Sequence, residues 1–262
     1  MSYEHAPRSQ ERIIPMGKRY RHPPIIEALC EFCFEPGPPW DLAIPGLIYE
    51  KIKAEFPKRR QVKAFEVNVT AGLEGVEQRV TTTDRIHFLR EDEKALVQVD
   101  RNLLVVNHLR PYPSWQHFLP LIQLGFTVYT EMAQPKGIQR IGLRYINRIE
   151  IPGQHIELQD YLQFYPFIGP ELPQDFDSFF AGIQIPYDNS RDSLRLQISS
   201  TIAETSDHAA VLLDLDYFLA QPGQIPLQEV FTWVEIAHQR VEEVFEACLT
   251  DRLRDMFEEI VP

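Results

Sequence analysis

Three carboxylates and three guanidiniums recur at the same four-residue interval, Glu27, Glu31 and Glu35 in one segment and Arg140, Arg144 and Arg148 in another. Each row alternates with apolar residues. Ile26, Ala28, Cys30, Phe32 and Phe34 oppose the acids, and Ile141, Leu143, Tyr145, Asn147, Ile149 and Ile151 oppose the arginines. A period of two is that of a half-buried strand, so each charged row occupies one face of its strand. Two chemistries follow. If the strands pair antiparallel, Glu27 meets Arg148, Glu31 meets Arg144 and Glu35 meets Arg140, and the ion pairs fix the register of a seam. If instead Glu27, Glu31, Asp100, Asp214 and Asp216 converge, they form a carboxylate cluster of the kind that holds Mg²⁺ or Mn²⁺ for phosphoryl chemistry. Arginines beside those acids would neutralise them and weaken their hold on a cation, which favours the architectural reading.

The remaining strand patterns add to the same polar face. Asp100 with Asn102, and Asp214 with Asp216, alternate with apolar neighbours, and Arg195, Gln197, Ser199 and Thr201 oppose Leu194, Leu196, Ile198 and Ile202. The candidate binding face therefore comprises Glu27, Glu31, Asp100, Asn102, Arg140, Arg144, Arg148, Arg195, Asp214 and Asp216. Cys30 and Cys33 have Cys-x-x-Cys spacing, but within a strand their side chains point to opposite faces. With only Cys248 left, a zinc site lacks its second pair. The histidines have no metal spacing and no nucleophile partner. The sequence has no Gly-rich phosphate loop, Gly-x-Ser-x-Gly elbow, His-Glu-x-x-His or acid-rich calcium loop. No catalytic residue, metal site or cofactor is assigned.

Two similar halves position these residues. A strand, a helix, three strands and a long helix are predicted over residues 23–136, and again over 137–262 with an inserted aromatic and Pro-rich segment at 152–176. Residues 1–22 are predicted as a loosely held arm. Val97-Gln-Val-Asp100 corresponds to Val211-Leu-Leu-Asp214. The stripe Trp115, Phe118, Leu119, Ile122, Phe126, Tyr129 and Ala133 corresponds to Leu227, Val230, Phe231, Val234, Val241, Val244, Phe245 and Cys248. Prolines punctuate these elements, with Pro23-Pro24 before the first strand, Pro36 to Pro39 after it, and Pro135-Lys-Gly137 between the halves. A short helix is predicted around 156–162. The fold class expected is α+β, a tandem pseudo-repeat of β-α-β-β-β-α halves forming a largely antiparallel sheet with helices on one face, by analogy with TATA-binding-protein-like and helix-grip sheets.

The 262 residues are 44% hydrophobic and 24% charged, enough for a sizeable core. The net charge of −12 disfavours sequence-independent nucleic-acid binding unless basic residues gather on one face, and Lys58-Arg59-Arg60 with Lys63 reads as a solvated helix end. The start lacks a secretory pattern and no apolar run spans a bilayer, so a cytoplasmic protein with no membrane partner is expected.

Three stretches taken together resemble the signatures of a sporadically distributed prokaryotic family of about this length: PPIIEALCEFCF at 23–34, Val97-Gln-Val-Asp100 through Asn107-His-Leu-Arg-Pro-Tyr-Pro-Ser-Trp115, and RIGLRYINRI at 140–149. The resemblance covers nearly the whole chain. It implies a bacterial or archaeal protein without assigned activity or catalytic residues, whose patchy occurrence is typical of defence or toxin–antitoxin cargo. Three functions are open: a non-catalytic protein that binds a protein partner and that can also self-associate as a homo-oligomer, a metal-dependent hydrolase or nuclease, and a small-ligand sensor lined by Trp115, Tyr145, Tyr217 and Trp233.

Overall fold

The computed structural model describes residues 18–72, 75–153 and 155–260, and of residues 64–84 the backbone alone. The segment Ile25–Glu35, whose apolar residues alternate with acids, forms β1, with Ala28, Cys30, Phe32 and Phe34 buried. It is followed by α1 (Ile44–Ile52), whose second residue is Pro45, where a missing N–H costs nothing. Four strands then come in succession: β2 (Lys58–Gly72), β3 (Gly75–Leu89), β4 (Ala95–Asp100) and β5 (Leu103–Leu109). The helix α2 (Trp115–Ala133) closes the first half. The second half runs β6 (Gly137–Pro152), β7 (Phe180–Tyr187), β8 (Asp192–Thr201), β9 (His208–Leu219), α3 (Val230–Cys248) and α4 (Asp251–Phe257).

The nine strands of the described residues join one antiparallel sheet in the order β2-β3-β4-β5-β1-β6-β9-β8-β7. The first strand of each half lies at the centre, as the charge rows predict. Ala28, Cys30 and Phe32 of β1, Ile141, Leu143 and Tyr145 of β6 and Leu213, Leu215 and Tyr217 of β9 build one core with Ile48, Phe118, Ile122, Phe126, Trp233, Val234 and Ala237 from the helices. Gly125 brings α2 down onto β5, because a Cβ there would stand 3.0 Å from Val106 Cγ2. The fold is α+β, with four α-helices among the described residues.

The halves depart from expectation in four ways. Four strands, not three, separate α1 from α2. The strand at Val97 is therefore β4, two places from β1, whereas the strand at Val211 is β9, directly beside β6. Among the described residues between β6 and β7 there is no α-helix but a 3₁₀ turn, Leu158–Asp160, in place of the helix expected around 156–162. Within the expected arm, residues 18–22 are held. Arg21 and His22 donate backbone hydrogen bonds to the carbonyls of Glu258 and Phe257, and Tyr20 packs edge-on against Phe257 at 5.6 Å and donates to Glu246. The rest of the arm, residues 1–17, lies outside the described residues.

Candidate functional site: the polar face of the sheet

The rows of Glu and Arg share the face opposite α1, α2 and α3, but they meet two residues out of the expected register. Glu31 lies opposite Gly142, Leu29 opposite Arg144 and Cys33 opposite Arg140, with irregularities between Ile25 and Glu27 and between Cys33 and Phe34. The pairs Glu27–Arg148, Glu31–Arg144 and Glu35–Arg140 therefore do not lie opposite one another. Packing on the other face accounts for the difference. The observed register sets Ala28 against Tyr145 and Cys30 against Leu143, small against large, whereas the expected one would set the polar Asn147 against Ala28 inside the core. Asn147 instead is buried at the end of the pairing, opposite Ile25, and donates to the Leu213 carbonyl at 3.1 Å.

The arginines find partners diagonally and on β9. Arg144 forks onto Asp214, its Nε donating to Oδ1 at 2.8 Å and its Nη2 to Oδ2. Arg140 donates to Glu31 and, at 3.3 Å, to Asp216. Its guanidinium crosses directly above Gly142, where a Cβ would come within 2.8 Å of Nη1, so the glycine leaves the space that this diagonal reach requires. Arg195 of β8 stands 3.8 Å from Asp216. Arg140 and Arg195 both lie over the ring of Phe218, 5.1 and 5.3 Å from its centre, within the range of cation–π attraction. Arg148 turns away to Glu150, at 2.9 Å, and to the Ile202 carbonyl. Glu27 accepts from Asn107 Nδ2 at 2.6 Å, and Asn107 in turn accepts from Gln98 at 2.8 Å.

Burial raises the Asp216 carboxyl above its ordinary range, against the opposing pull of Arg140, Arg144 and Arg195. The bond to Asp214 strengthens the hold of Arg144 on its proton. The face is unevenly exposed. Val105 and Asn107 are buried in the first half, while the side chains of Arg144 and Arg195 keep 40% and 45% of their surface exposed in the second. No described helix packs on this face.

Besides Glu27 and Arg148, two further candidates fall outside the cluster. Asn102 is not on a strand. It occupies the two-residue turn between β4 and β5 with φ 61°, a left-handed conformation that asparagine tolerates, and its carbonyl accepts from Phe34 N. Asp100 is on the polar face of β4, in an ion pair with Arg85 at 3.9 Å. Four strand spacings separate it from β9, about 19 Å, so the five acids do not converge. Among the described residues no three His, Cys, Asp or Glu side chains could hold one metal ion. Cys30 is buried on the helix side, where burial pushes its thiol up, and Cys33 is half-buried on the polar side. Sequence reasoning missed Asn107, Gly142 and Phe218 as parts of the face. Phe218 shares its strand parity with Asp214 and Asp216, which was a readable signal.

The four aromatics proposed to line a pocket fill two packed groups instead. Trp115 stacks on His238 at 4.0 Å, and His238 hydrogen-bonds Tyr145, which bonds Tyr112. Tyr217 and Trp233 both donate to the fully buried Asp192, at 3.2 and 3.0 Å. Two shallow hollows lie elsewhere, of about 270 Å³ beside Glu55 and Arg90 and about 250 Å³ beside Arg59 and Ile86.

No family model matches the chain, and no curated protein is significantly similar to it.

Proposed function

We propose that the protein is a non-catalytic binding module that holds a protein partner on the polar face of its sheet, as an accessory or regulatory component of a prokaryotic system of the defence or toxin–antitoxin kind. The observation that carries this reading is the cluster of Arg140, Arg144 and Arg195 around Phe218, Asp214 and Asp216. It joins guanidiniums that keep part of their surface exposed to an aromatic ring on a face that no described helix covers. Arginine and aromatic groups side by side are the residue types that dominate protein interfaces, and mixed charge selects a complementary protein surface rather than a phosphate backbone. The resemblance to a prokaryotic family without catalytic residues supports the biological setting.

The tandem pseudo-repeat and the likeness to TATA-binding-protein-like sheets belong to the same proposal. In support, each half sends its first strand to the centre and its last beside it, and each carries a helix of 19 residues after its last strand, to which the second half adds α4. The metal-dependent hydrolase draws no support from acids held by arginines and spread across the sheet. The sensor draws none from aromatics packed on each other.

Co-expression with the products of adjacent genes tests the proposal. A stable complex that survives Arg240→Glu on α3 but is lost in Arg195→Glu is the expected result. A complex indifferent to Arg195→Glu and to Arg140→Glu would contradict it.

A further inference from the structure

The two edges of the sheet differ sharply in charge. The outer strand β2 begins Lys58-Arg59-Arg60-Gln61-Val62-Lys63, the kind of charged edge that blocks pairing with another chain. The opposite edge, β7, reads Phe-Ala-Gly-Ile-Gln-Ile-Pro-Tyr without one charged residue, and exposes Phe180 and Ile183 at 67% and 48%. The hydrogen bond from Ser200 N to the Phe179 carbonyl sets the phase of the β7–β8 ladder. Odd-numbered residues of β7 bond to β8, and Phe180, Gly182, Gln184 and Pro186 turn their backbone groups outward. Among the described residues no strand pairs with that side. Pro186 falls at an outward position, where its missing N–H removes no bond to β8.

We propose that β7 is a self-association edge, adding antiparallel to β7 of a second copy about a twofold axis through Ile183. That register pairs Ile183 with itself, Ala181 with Ile185, Gly182 with Gln184 and Phe180 with Pro186. Every outward N–H of Phe180, Gly182 and Gln184 then meets an outward carbonyl, and the one absent donor, at Pro186, falls at the end of the ladder. Phe180 already lies over Gly182, 3.6 Å from its Cβ position, and the approaching proline extends that apolar surface. The chain's net charge of −12 makes copies repel over most of their surface, and β7 is an uncharged strip along which they can approach. An extended backbone is the ligand such an edge demands, and this pattern is complementary to itself.

Sedimentation of the full chain tests the proposal, with a species of twice the chain's 30.5 kDa expected. Gln184→Pro removes an outward backbone donor and leaves the backbone ladder to β8 in place, at the loss of one side-chain bond from Gln184 Nε2 to Ser193 Oγ, and is expected to give a monomer whose circular dichroism is unchanged. Under mild oxidation Ile183→Cys should crosslink to its own copy, since directly opposed residues of this pair type lie about 4.5 Å apart at Cα. Ala181→Cys should not, its mates being about 14 Å apart along the strands. A wild-type chain that stays monomeric at about 100 µM, well above the micromolar range of weak specific association, would overturn the proposal. So would failure of Ile183→Cys to crosslink, or a dimer indifferent to Gln184→Pro. Should Gln184→Pro fail to fold, the crosslinking pair decides alone. Arg195→Glu should leave the dimer intact, which separates this edge from the polar face.

Discussion

Arg144 and Asp214 form the best-made ion pair on the polar face, a fork between partly buried groups. Removing one partner strands the other, so Arg144→Glu should destabilise the fold by about 1–3 kcal/mol. Asp214→Arg in the same chain should recover part of that loss, while Glu31→Arg should not, because Glu31 belongs to Arg140. Denaturant unfolding of the three variants measures the difference, and a recovery by Glu31→Arg would restore the seam that the charge rows alone suggest. Asp216 sets a pH dependence. Its carboxyl is raised above the ordinary 3.8 by burial. A raised acid stabilises the fold fully below its ordinary value, and that contribution is lost as pH rises through the raised one. The stability of wild type relative to Asp216→Asn should therefore fall as pH increases from below 3.8, in a thermal-unfolding series. His108 works in the opposite direction. Burial lowers it, so acidification below the ordinary 6.5 favours the unfolded chain, and His108→Gln should flatten that loss. At this scale the sequence showed which residues share a face, because alternation in a strand has period two. It did not show which residues touch. A slip of two residues keeps every side chain on its face, and Ala28 against Tyr145 on the buried side decided it.

At the scale of elements, two of the contacts that join helices to strands set predictions. Asp192 is fully buried and accepts from Tyr217 of β9 and Trp233 of α3, and from Arg191 at 2.6 Å. Asp192→Leu leaves the Trp233 indole N–H and the Tyr217 phenol without their acceptor, and leaves Arg191 with Asp188 alone, and should cost about 2–4 kcal/mol in unfolding free energy. Gly125→Val would press α2 off Val106 and should cost about 1–3 kcal/mol, read in the same measurement. Both 19-residue helices were legible from their apolar stripes, and β1 and β6 from alternation. The β4–β5 hairpin was not. Its turn is only Arg101 and Asn102, and Asn102 continues the alternation of Asp100 while serving as the left-handed turn residue. The helix expected near Ile156 reduces to the 3₁₀ turn Leu158–Asp160, beyond which Tyr161 and Leu162 are buried and Leu162 bridges to Leu249 instead of continuing a helix.

Over the whole molecule, one face of the sheet carries three helices and the core, and the other carries the charges. A sheet so divided needs its helices for stability, while its second face can stand solvated. The division into faces was legible in the sequence. Which part of the polar face is open was not, since that depends on the neighbours of Val105, Asn107 and Arg195 in the assembled sheet. Covalent labelling of arginines, read by mass spectrometry with and without the co-purified partner, tests the central claim most directly. The account predicts that labelling of Arg140, Arg144 and Arg195 falls in the complex while that of Arg240 and Arg252 is unchanged. Protection of Arg240 and Arg252 with the sheet arginines still fully labelled would contradict it.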